Sequence, residues 1–567
     1  MILFLGQTAV LLAAVAALWL LWRVSERHSR RIGMLVAGAV FLRAAAGCTL
    51  FWIAYFRLPF ARSLQLEERR GFWYFATDGL AYFKRALVAA SDGPVGIVTM
   101  TSQNPSVVYN KVLAVFTWAL GPIPSVGILL NVFAFLGIAA IVASWARRYD
   151  VGFLPTAVPI VAAGYSPSWV LWSVQPLKDA FFCFVIVLFA FAVDLWVRAW
   201  RNDDARVRRV AAAAALMALA MYALAGVRWY YALVALIAAF VPLAAPVFRR
   251  AAPASRRFAA GLVAAGVAVV LAQLIVLGAG PYLPDAMRGV LRLKVKPDSV
   301  AEVLVGSRRS FDSYKEAGTR IRVGPKLRET PPPAIAAAPP ATTPATTPAP
   351  RPATTTAAPP PPADIPAHVP PPVAVAEKPV QPSPPMQPSP PVHVQPAPPV
   401  QPAPKPAVVN PVDEDAAQSD VPRTWQARAI AGVTALLLPH SIGEGLGLIS
   451  LGGGRGFWWF ADVDTIFFNV LLFTSLGLLV AARKTAWRDP FVWYILAVSF
   501  AIAGALAYTV SNYGTLFRHR SMILAAVVLL PIAAYRSRSR AAEAAVVERN
   551  HVAAAPDDAL PTSPAES

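Results

Sequence analysis

Charged residues and cysteine are both scarce in this sequence of 567 residues. Only 14% of its residues are charged and 56% are hydrophobic, whereas a soluble domain carries about a quarter charged residues. The two cysteines, Cys48 and Cys183, both fall inside apolar runs, so the sequence offers neither a disulfide framework nor a cysteine-based zinc site. The mean hydropathy is +0.51, and the apolar runs approach the ~20 residues that cross a bilayer. These features predict an all-α, polytopic helical membrane protein.

The positive charge is concentrated in short arginine clusters between the apolar runs. The net charge is +20, which on a soluble protein would suggest a nucleic-acid partner. Clusters at the ends of apolar runs instead follow the positive-inside pattern, so no nucleic acid is expected as a partner. With the clusters on the cytoplasmic side, the sequence predicts a multi-pass protein with its N-terminus outside and its C-terminus cytoplasmic. Its Ala-, Arg- and Pro-rich composition suggests a bacterial inner membrane. The first run, Ile2–Trp22, is interpreted as a retained anchor and not as a cleaved signal peptide.

Apolar runs and shifts of composition divide the chain into five predicted segments. About eight spans fall in the first segment and about three in the fourth, which gives about eleven transmembrane helices. Most of the 54 prolines fall in the third segment, which is predicted to be a disordered extracytoplasmic insert with no core to bury. The segments are an N-terminal membrane block at 1–280 with an outer loop at 57–111, a small extracytoplasmic segment at 281–330, a Pro/Ala/Thr-rich linker at 331–424, a C-terminal membrane block at 425–540 and a disordered cytoplasmic tail at 541–567.

The outer loop contains a carboxylate among aromatic residues. In GFWYFATDGLAYFKRA, Asp78 is followed four residues later by Tyr82, and a helix would place both on one face. Partial burial at a membrane surface favours the protonated acid unless a partner holds its charge. Such an environment suits a general base or a metal ligand. A solvated aspartate beside interfacial aromatic anchors is the alternative interpretation.

A basic motif near the C-terminus lies on the same predicted side of the membrane. It reads SNYGTLFRHR and contains Asn512, Arg518, His519 and Arg520. Guanidinium groups match phosphate oxygens bidentately, and a turn at Asn512 adds amide donors. We therefore predict a phosphate-binding site here, with arginines snorkelling at the end of a span as the alternative.

Four more charged residues stand inside or beside apolar runs. Lys178 and Asp179 begin one run, where they either line a site or complement the dipole of the helix. Arg228 is a second candidate for phosphate binding. Arg43 lies within a run and is expected to face the bundle interior, either in a site or in an ion pair.

Motifs for nucleotides and metals are almost absent. There is no nucleotide-binding loop, nucleophile elbow or His/Cys cluster. No cofactor is predicted, and the single D-x-D sequence at Asp462 and Asp464 leaves a divalent metal as the alternative. An enzyme on the outer face has no access to ATP or nucleotide-sugars. Its activated substrate is expected to arrive on a lipid, and polyprenyl phosphates suit basic residues at a membrane edge.

Three segments resemble the GT-C superfamily of polyprenyl-phosphate-sugar-dependent glycosyltransferases, nearest to its protein O-mannosyltransferase-like bacterial branch. They are TDGLAYFKRA, SPSWVLWSVQPLKDAFF and NYGTLFRHRSMIL. The resemblance implies that Asp78 is the general base that deprotonates an acceptor hydroxyl. It also implies that Arg518 and Arg520, with Arg228, hold the donor phosphate while the sugar transfers with inversion.

Three functions follow from these motifs. The first is an integral-membrane glycosyltransferase in cell-envelope glycan synthesis, with a lipid-linked sugar as donor, a glycan or protein as acceptor and the bilayer as its surroundings. The second is a polysaccharide polymerase or ligase of the O-antigen type, which needs the outer arginines but not Asp78. The third is a non-enzymatic transporter or scaffold for envelope assembly.

Overall fold

A computed structural model describes residues 2–66, 71–100, 106–200, 206–248, 253–283, 287–288, 291, 432–434, 436–445, 458–509 and 513–539. The predicted proline-rich linker and the predicted tail at 541–567 lie outside these residues, as does most of the segment at 281–330. The described parts of the two predicted membrane blocks belong to one unit of the fold.

The first membrane block is helical along almost all of its described length. Pro or Gly stands at several helix boundaries, because neither residue continues a helix well. The helices are α1 (Ile2–Glu26), α2 (Arg30–Phe56), α3 (Thr77–Ser91), α4 (Gly93–Thr99), α5 (Val107–Leu120), α6 (Val126–Arg148), α7 (Phe153–Tyr165), α8 (Pro167–Ser173), α9 (Asp179–Ala199), α10 (Arg206–Ala244) and α11 (Ala254–Ala279).

The second membrane block adds helices that pack onto the first. They are α12 (His440–Gly445), α13 (Trp458–Ala481), α14 (Arg483–Ala486), α15 (Pro490–Thr509), α16 (Tyr513–Val527) and a final helix, α17, at residues 530–539. Within the described parts of the chain, extended pairing is limited to one bridge between Gln65 and Trp73. The all-α prediction is confirmed for these parts.

Eight helices of the described chain are long and apolar enough to cross a membrane. This confirms the prediction of a helical membrane protein. The eight are Gln7–Glu26, Arg30–Phe56, Val126–Arg148, Asp179–Ala199, Val207–Ala244, Ala254–Ala279, Trp459–Ala481 and Phe517–Ser539. Three shorter apolar helices accompany them: Val107–Leu120, Phe153–Tyr165 and Pro490–Leu506.

Helix α10 is interrupted at Arg228. A straight helix of its 39 residues would be about 58 Å long, nearly twice the ~30 Å of a bilayer core. The backbone at Arg228 leaves the helical region, with φ −155° and ψ 84°. The sequence predicts two spans here, Val210–Val227 and Tyr231–Val247, and the structure joins them across the break.

Helices α6 and α9 are the most buried spans of the first membrane block. Their apolar stretches are 83% and 78% buried, whereas that of α1 is only 6% buried. In lipid, helices associate through close contact of small residues more than through the hydrophobic effect. Gly278 of α11 shows this, because a Cβ there would lie 2.7 Å from the carbonyl oxygen of Tyr222 in α10.

One end of α9 is fixed by a buried group of polar residues that we call the Asp194 cluster: Asp194, Arg536, Asp489, Trp145 and Tyr149. Arg536 hydrogen-bonds to Asp194, and its Nη2 donates to Asp489 Oδ1 at 3.0 Å. Trp145 Nε1 and the Tyr149 hydroxyl donate to Asp194 Oδ2 at 2.9 and 2.8 Å. All five residues are buried. The cluster joins α6, α9 and α17.

Arg43 caps a helix instead of forming either predicted arrangement. Its Nη1 donates to the carbonyl oxygen of Gly164 at 2.6 Å, and its Nη2 donates to that of Ala163. The guanidinium also lies 4.4 Å from the centre of the Phe135 ring. The last carbonyls of α7 have no partner within their own helix, and the buried cation satisfies them. No carboxylate partner of Arg43 is found among the described residues.

Candidate anion-binding and catalytic site

Asp78 stands at the exposed edge of α3. It is in the first helical turn, where a carboxylate complements the partial positive charge of the helix N-terminus. Its side chain is 53% exposed, whereas Tyr82, one turn later, is buried. The amphipathic pattern of α3 therefore fixes the helix against the bundle and leaves Asp78 facing outward. The buried side of α3 is formed by Gly79, Leu80, Tyr82, Phe83, Ala86 and Ala89.

Lys178 and Asp179 are set at the start of α9 by Pro176. Proline cannot continue a preceding helix, and α9 begins three residues later at Asp179. Pro176 packs so closely on Gly127 of α6 that a Cβ there would lie 2.4 Å from the proline Cβ. Both charged side chains are buried. Charges that only complement a helix dipole can stay in solvent, so their burial favours a site.

The break in α10 directs Arg228 toward Asp179. Its Nη2 donates to Asp179 Oδ1 at 2.9 Å, and its Nη1 donates to the Tyr230 hydroxyl at 2.8 Å. The guanidinium lies 5.7 Å from the centre of the Phe182 ring. The non-helical residue is thus also the residue that supplies the cation.

Arg518 contacts two carboxylates from distant parts of the chain. Its Nη1 donates to Asp78 Oδ2 at 2.8 Å, and its Nε donates to Asp179 Oδ2 at 2.8 Å. Its Nη2 lies 2.7 Å from the same Asp179 oxygen but is not aligned for a hydrogen bond. The ring of Trp172 packs against the guanidinium, 5.5 Å from its centre. Asp78 and Arg518 are 440 positions apart in the sequence.

We call Asp78, Asp179, Arg228 and Arg518 the Asp179 cluster. Asp179 is 2% exposed and lies between the two guanidinium groups. Arg518 is 15% exposed, and only Asp78 reaches well into solvent. Two cations and two carboxylates balance in charge, and that balance is kept if a singly charged anion takes the place of the exposed carboxylate at Arg518.

Lys178 lies beside the cluster but does not contact its carboxylates. Its Nζ donates to Ser106 Oγ at 2.6 Å and lies 5.5 Å from the centre of the Tyr82 ring. Burial, and then the charge of Arg228, lowers the pKa of Lys178 well below its usual value. Burial, and then the charge of Asp78, raises the pKa of Tyr82 to about 12. The predicted binding residues Lys178 and Tyr82 therefore pack together behind the cluster.

Several buried polar atoms near the cluster have no hydrogen-bond partner among the described residues. They are His519 Nδ1, the hydroxyls of Tyr109 and Tyr231, and both polar atoms of the Asn110 side chain. The Tyr109 ring packs 5.4 Å from that of Tyr82. Buried polar atoms are usually paired, so such a concentration is typical of a site. The sequence analysis missed Tyr109, Asn110 and Tyr231. The pattern that could have identified them is a polar side chain inside or beside an apolar run.

Arg520 and Arg518 are two residues apart but contact different residues. It is 1% exposed, hydrogen-bonds to Thr465, and its Nη1 lies 4.0 Å from Asp464 Oδ2. One turn of the helix holds only three or four residues, so two residues that are two apart point in different directions. The structure thus does not bring Arg520 into the Asp179 cluster. Asn512 lies outside the described residues.

The two aspartates of the D-x-D sequence also have separate surroundings. Asp464 is buried, and its Oδ1 accepts hydrogen bonds from the backbone N–H of Ser168 and from the Ser166 hydroxyl at 2.8 and 3.1 Å. Asp462 instead accepts from the backbone N–H of Ser441 at 3.2 Å. No group of three or more metal-binding side chains occurs in the part of the chain that the structure describes.

No family model, curated protein or solved structure matches this chain. The assignment of a function therefore depends on the geometry of the cluster itself.

Proposed function

We propose that this protein is an integral-membrane glycosyltransferase that moves a sugar from a polyprenyl-phosphate carrier to an acceptor hydroxyl. The observation that supports it most is the contact between Asp78 Oδ2 and Arg518 Nη1 at 2.8 Å. A base and a phosphate-binding cation have to be adjacent for such a transfer. That the transferred group is a sugar is inferred from the resemblance of the three sequence segments to GT-C enzymes.

In the proposed reaction, Asp78 acts on the acceptor and the arginines act on the donor. The Asp78 carboxylate takes the proton of the acceptor hydroxyl, whose oxygen attacks the anomeric carbon of the sugar. The bond between that carbon and the phosphate oxygen breaks, and the phosphate leaves with the electron pair. Arg518, supported by Arg228, stabilises the charge that develops on the leaving phosphate. Attack opposite to the leaving group inverts the anomeric configuration.

The proposed topology places this reaction on the extracytoplasmic face of a bacterial inner membrane. If α10 is counted as two spans divided at Arg228, and α7 and α15 each cross the membrane, the chain has the eleven spans expected from the sequence. The arginine clusters then face the cytoplasm, as does the C-terminus, and the Asp179 cluster lies outside. The donor is a lipid-linked sugar, and the acceptor is a glycan or a protein.

The test is glycan profiling of cells that carry Asp78→Asn, with Asp92→Asn as the matched control. Asp92 is exposed at the other end of α3, so the control removes the same charge from the same helix. Loss of a general base is expected to lower transfer by about 10²–10⁴-fold at an unchanged membrane level of the protein. Asp92→Asn is expected to be active.

Full transfer by the Asp78→Asn variant would show that this carboxylate is not the base. If transfer were lost only on replacing Arg518, the result would instead support a polymerase or ligase on a polyprenyl diphosphate. Normal glycans with both replacements would leave a transporter or scaffold.

A further inference from the structure

The two carboxylates that hold Arg518 differ in how firmly they are placed. Asp179 is 2% exposed and contacts both Arg228 and Arg518, so turning either guanidinium away would remove one of the two ion pairs of a buried carboxylate. Asp78 is 53% exposed, and the contact that the structure assigns to its carboxylate is the one with Arg518 Nη1. A buried, doubly paired carboxylate is held far more strongly than an exposed one.

The outward side of Arg518 is therefore occupied by a replaceable partner. A sugar-carrying polyprenyl phosphate is a phosphodiester with two unesterified oxygens, and a phosphate monoester has three; either group offers a guanidinium two oxygens for bidentate binding. Arg518 also has an Nη2 that is buried without an aligned hydrogen bond. Nη2 lies 2.7 Å from Asp179 Oδ2, and Nη1 is the atom that contacts Asp78. Displacing Asp78 would therefore free Nη1 for a phosphate oxygen while Asp179 keeps the other side of the guanidinium in place.

We propose that Asp78 is an internal competitor for the anion site, and that an incoming phosphate headgroup displaces it from Arg518. Asp179 is the positioning residue that keeps Arg228 and Arg518 in place during the exchange. If the proposed transfer is correct, on which this step rests, the displacement also frees the Asp78 carboxylate to accept a proton. The base is then available only after the donor has bound, and the donor binds before the acceptor.

Competition predicts an unusual result for a residue of the active site. Replacing Asp78 by Asn removes the competitor, so the affinity for the anion increases while transfer is lost. An exposed ion pair is worth up to ~1 kcal/mol, which corresponds to an increase of about two- to fivefold. A carboxylate that helps to bind the donor predicts weaker binding, and a carboxylate without contact to Arg518 predicts no change.

The experiment measures binding of dodecyl phosphate to the full-length protein in lipid nanodiscs by titration calorimetry, at constant pH and salt. Inorganic phosphate is titrated in parallel, because it carries the same group without a lipid chain. The variants are Asp78→Asn, Arg518→Gln, the double variant of these two, and Asp92→Asn as the charge-matched control. We expect tighter binding in Asp78→Asn, no change in Asp92→Asn, and at least about tenfold weaker binding in Arg518→Gln.

The double variant decides between competition and general repulsion. If Asp78 acts through Arg518, adding Asp78→Asn to Arg518→Gln gives no gain in affinity. A gain of the same size in both backgrounds would overturn the proposal, and so would unchanged or weaker binding in Asp78→Asn alone. Equal gains with dodecyl phosphate and inorganic phosphate assign the site to the phosphate group itself, and a gain with dodecyl phosphate alone assigns it to a lipid headgroup.

The outcomes separate this inference from the proposed function. Tighter binding by Asp78→Asn without any glycosyl transfer in the wild-type protein would support the competition and remove the transferase. Loss of transfer in Asp78→Asn with unchanged affinity would support the transferase and remove the competition.

Discussion

Helix α9 carries an aspartate near each end, and the two aspartates differ in how far their surroundings are buried and hydrogen-bonded. Asp179 and Asp194 are separated by about 22 Å along the helix axis. Each binds an arginine of the last membrane-spanning helix, Phe517–Ser539, which combines the end of α16 with α17. In the Asp194 cluster, every member is buried and both oxygens of Asp194 accept hydrogen bonds. In the Asp179 cluster, one carboxylate is more than half exposed, and neighbouring polar atoms are unpaired.

This difference separates an arrangement that stabilises the fold from one that binds. In the Asp194 cluster, Arg536 Nε also has no hydrogen-bond partner among the described residues, but no member is exposed to a ligand, and both oxygens of Asp194 are occupied. In the Asp179 cluster, an exposed member and unsatisfied polar atoms beside it make the folded state less stable than full pairing would. Such a cost is characteristic of functional sites. The presence of buried arginines alone would not distinguish the two.

The largest expected effect is a loss of stability when the Asp194 cluster is broken. Arg536→Met leaves Asp194 and Asp489 buried without their cation, which costs about 3–5 kcal/mol. We expect a marked fall in the thermal unfolding temperature in nanodiscs. Arg538→Met is the matched control, because Arg538 is exposed two residues further on. Equal stability of the two variants would contradict a structural role for the Asp194 cluster.

The second expected effect is a loss of activity when Arg518 of the Asp179 cluster is replaced. Arg518→Lys keeps the charge but loses the planar fork that contacts two carboxylates, so transfer is expected to fall by about tenfold or more. The unfolding temperature is expected to change much less than in Arg536→Met, since Arg518 reaches solvent. A variant that loses stability and activity in parallel would show that both clusters serve the fold alone.

A third comparison uses two tyrosines, one at each cluster. Tyr149→Phe removes a hydroxyl that donates to Asp194, and a hydrogen bond to a charged group contributes about 1.5–3 kcal/mol. Tyr109→Phe removes a buried hydroxyl with no partner among the described residues, so it is expected to leave stability unchanged or slightly increased. The measurement is again the unfolding temperature, and the reverse order would contradict the distinction.

The smallest effect is a dependence on pH at Lys178. Because burial lowers its pKa, the folded state binds fewer protons than the unfolded state between the lowered pKa and the usual value of about 10.4. Stability therefore rises with pH in that interval. Relative to Lys178→Met, the unfolding temperature of the wild-type protein is expected to increase as the pH rises toward the usual lysine pKa of about 10.4. A constant difference would mean that Lys178 titrates normally.

The sequence predicts the helical membrane class and several residues of the site, but not how they are held. Charge and aromatic patterns identify Asp78, Asp179 and Arg518, because such residues are conspicuous beside apolar runs. The contact between Asp78 and Arg518 joins positions 440 apart, and no local pattern specifies it. The same limit applies to the Asp194 cluster, since the sequence analysis found only arginines on that side.

Local chemistry explains the other differences. Arg43 and Arg520 resemble Arg518 as residues, yet the first caps the carbonyls of α7 and the second faces Thr465. Which of several buried arginines binds an anion depends on the rotation of its helix and on the groups that meet it. Neither is encoded in the residue type. The break at Arg228 has only Gly226 nearby as a sequence signal, two residues before it.

The two pairs along α9 have a consequence for how the chain is threaded. Asp179 meets Arg518 and Asp194 meets Arg536, so α9 and the last membrane-spanning helix run in the same direction. Two segments that cross a bilayer in the same sense must be joined through an odd number of crossings. The described spans between them are even in number if α10 crosses once and α15 crosses, and odd if α10 turns back at Arg228. The proposed eleven-span topology, in which α10 turns back at Arg228, satisfies this parity, and the hydrogen bond between Arg228 and Asp179 keeps both residues at the same end of α9.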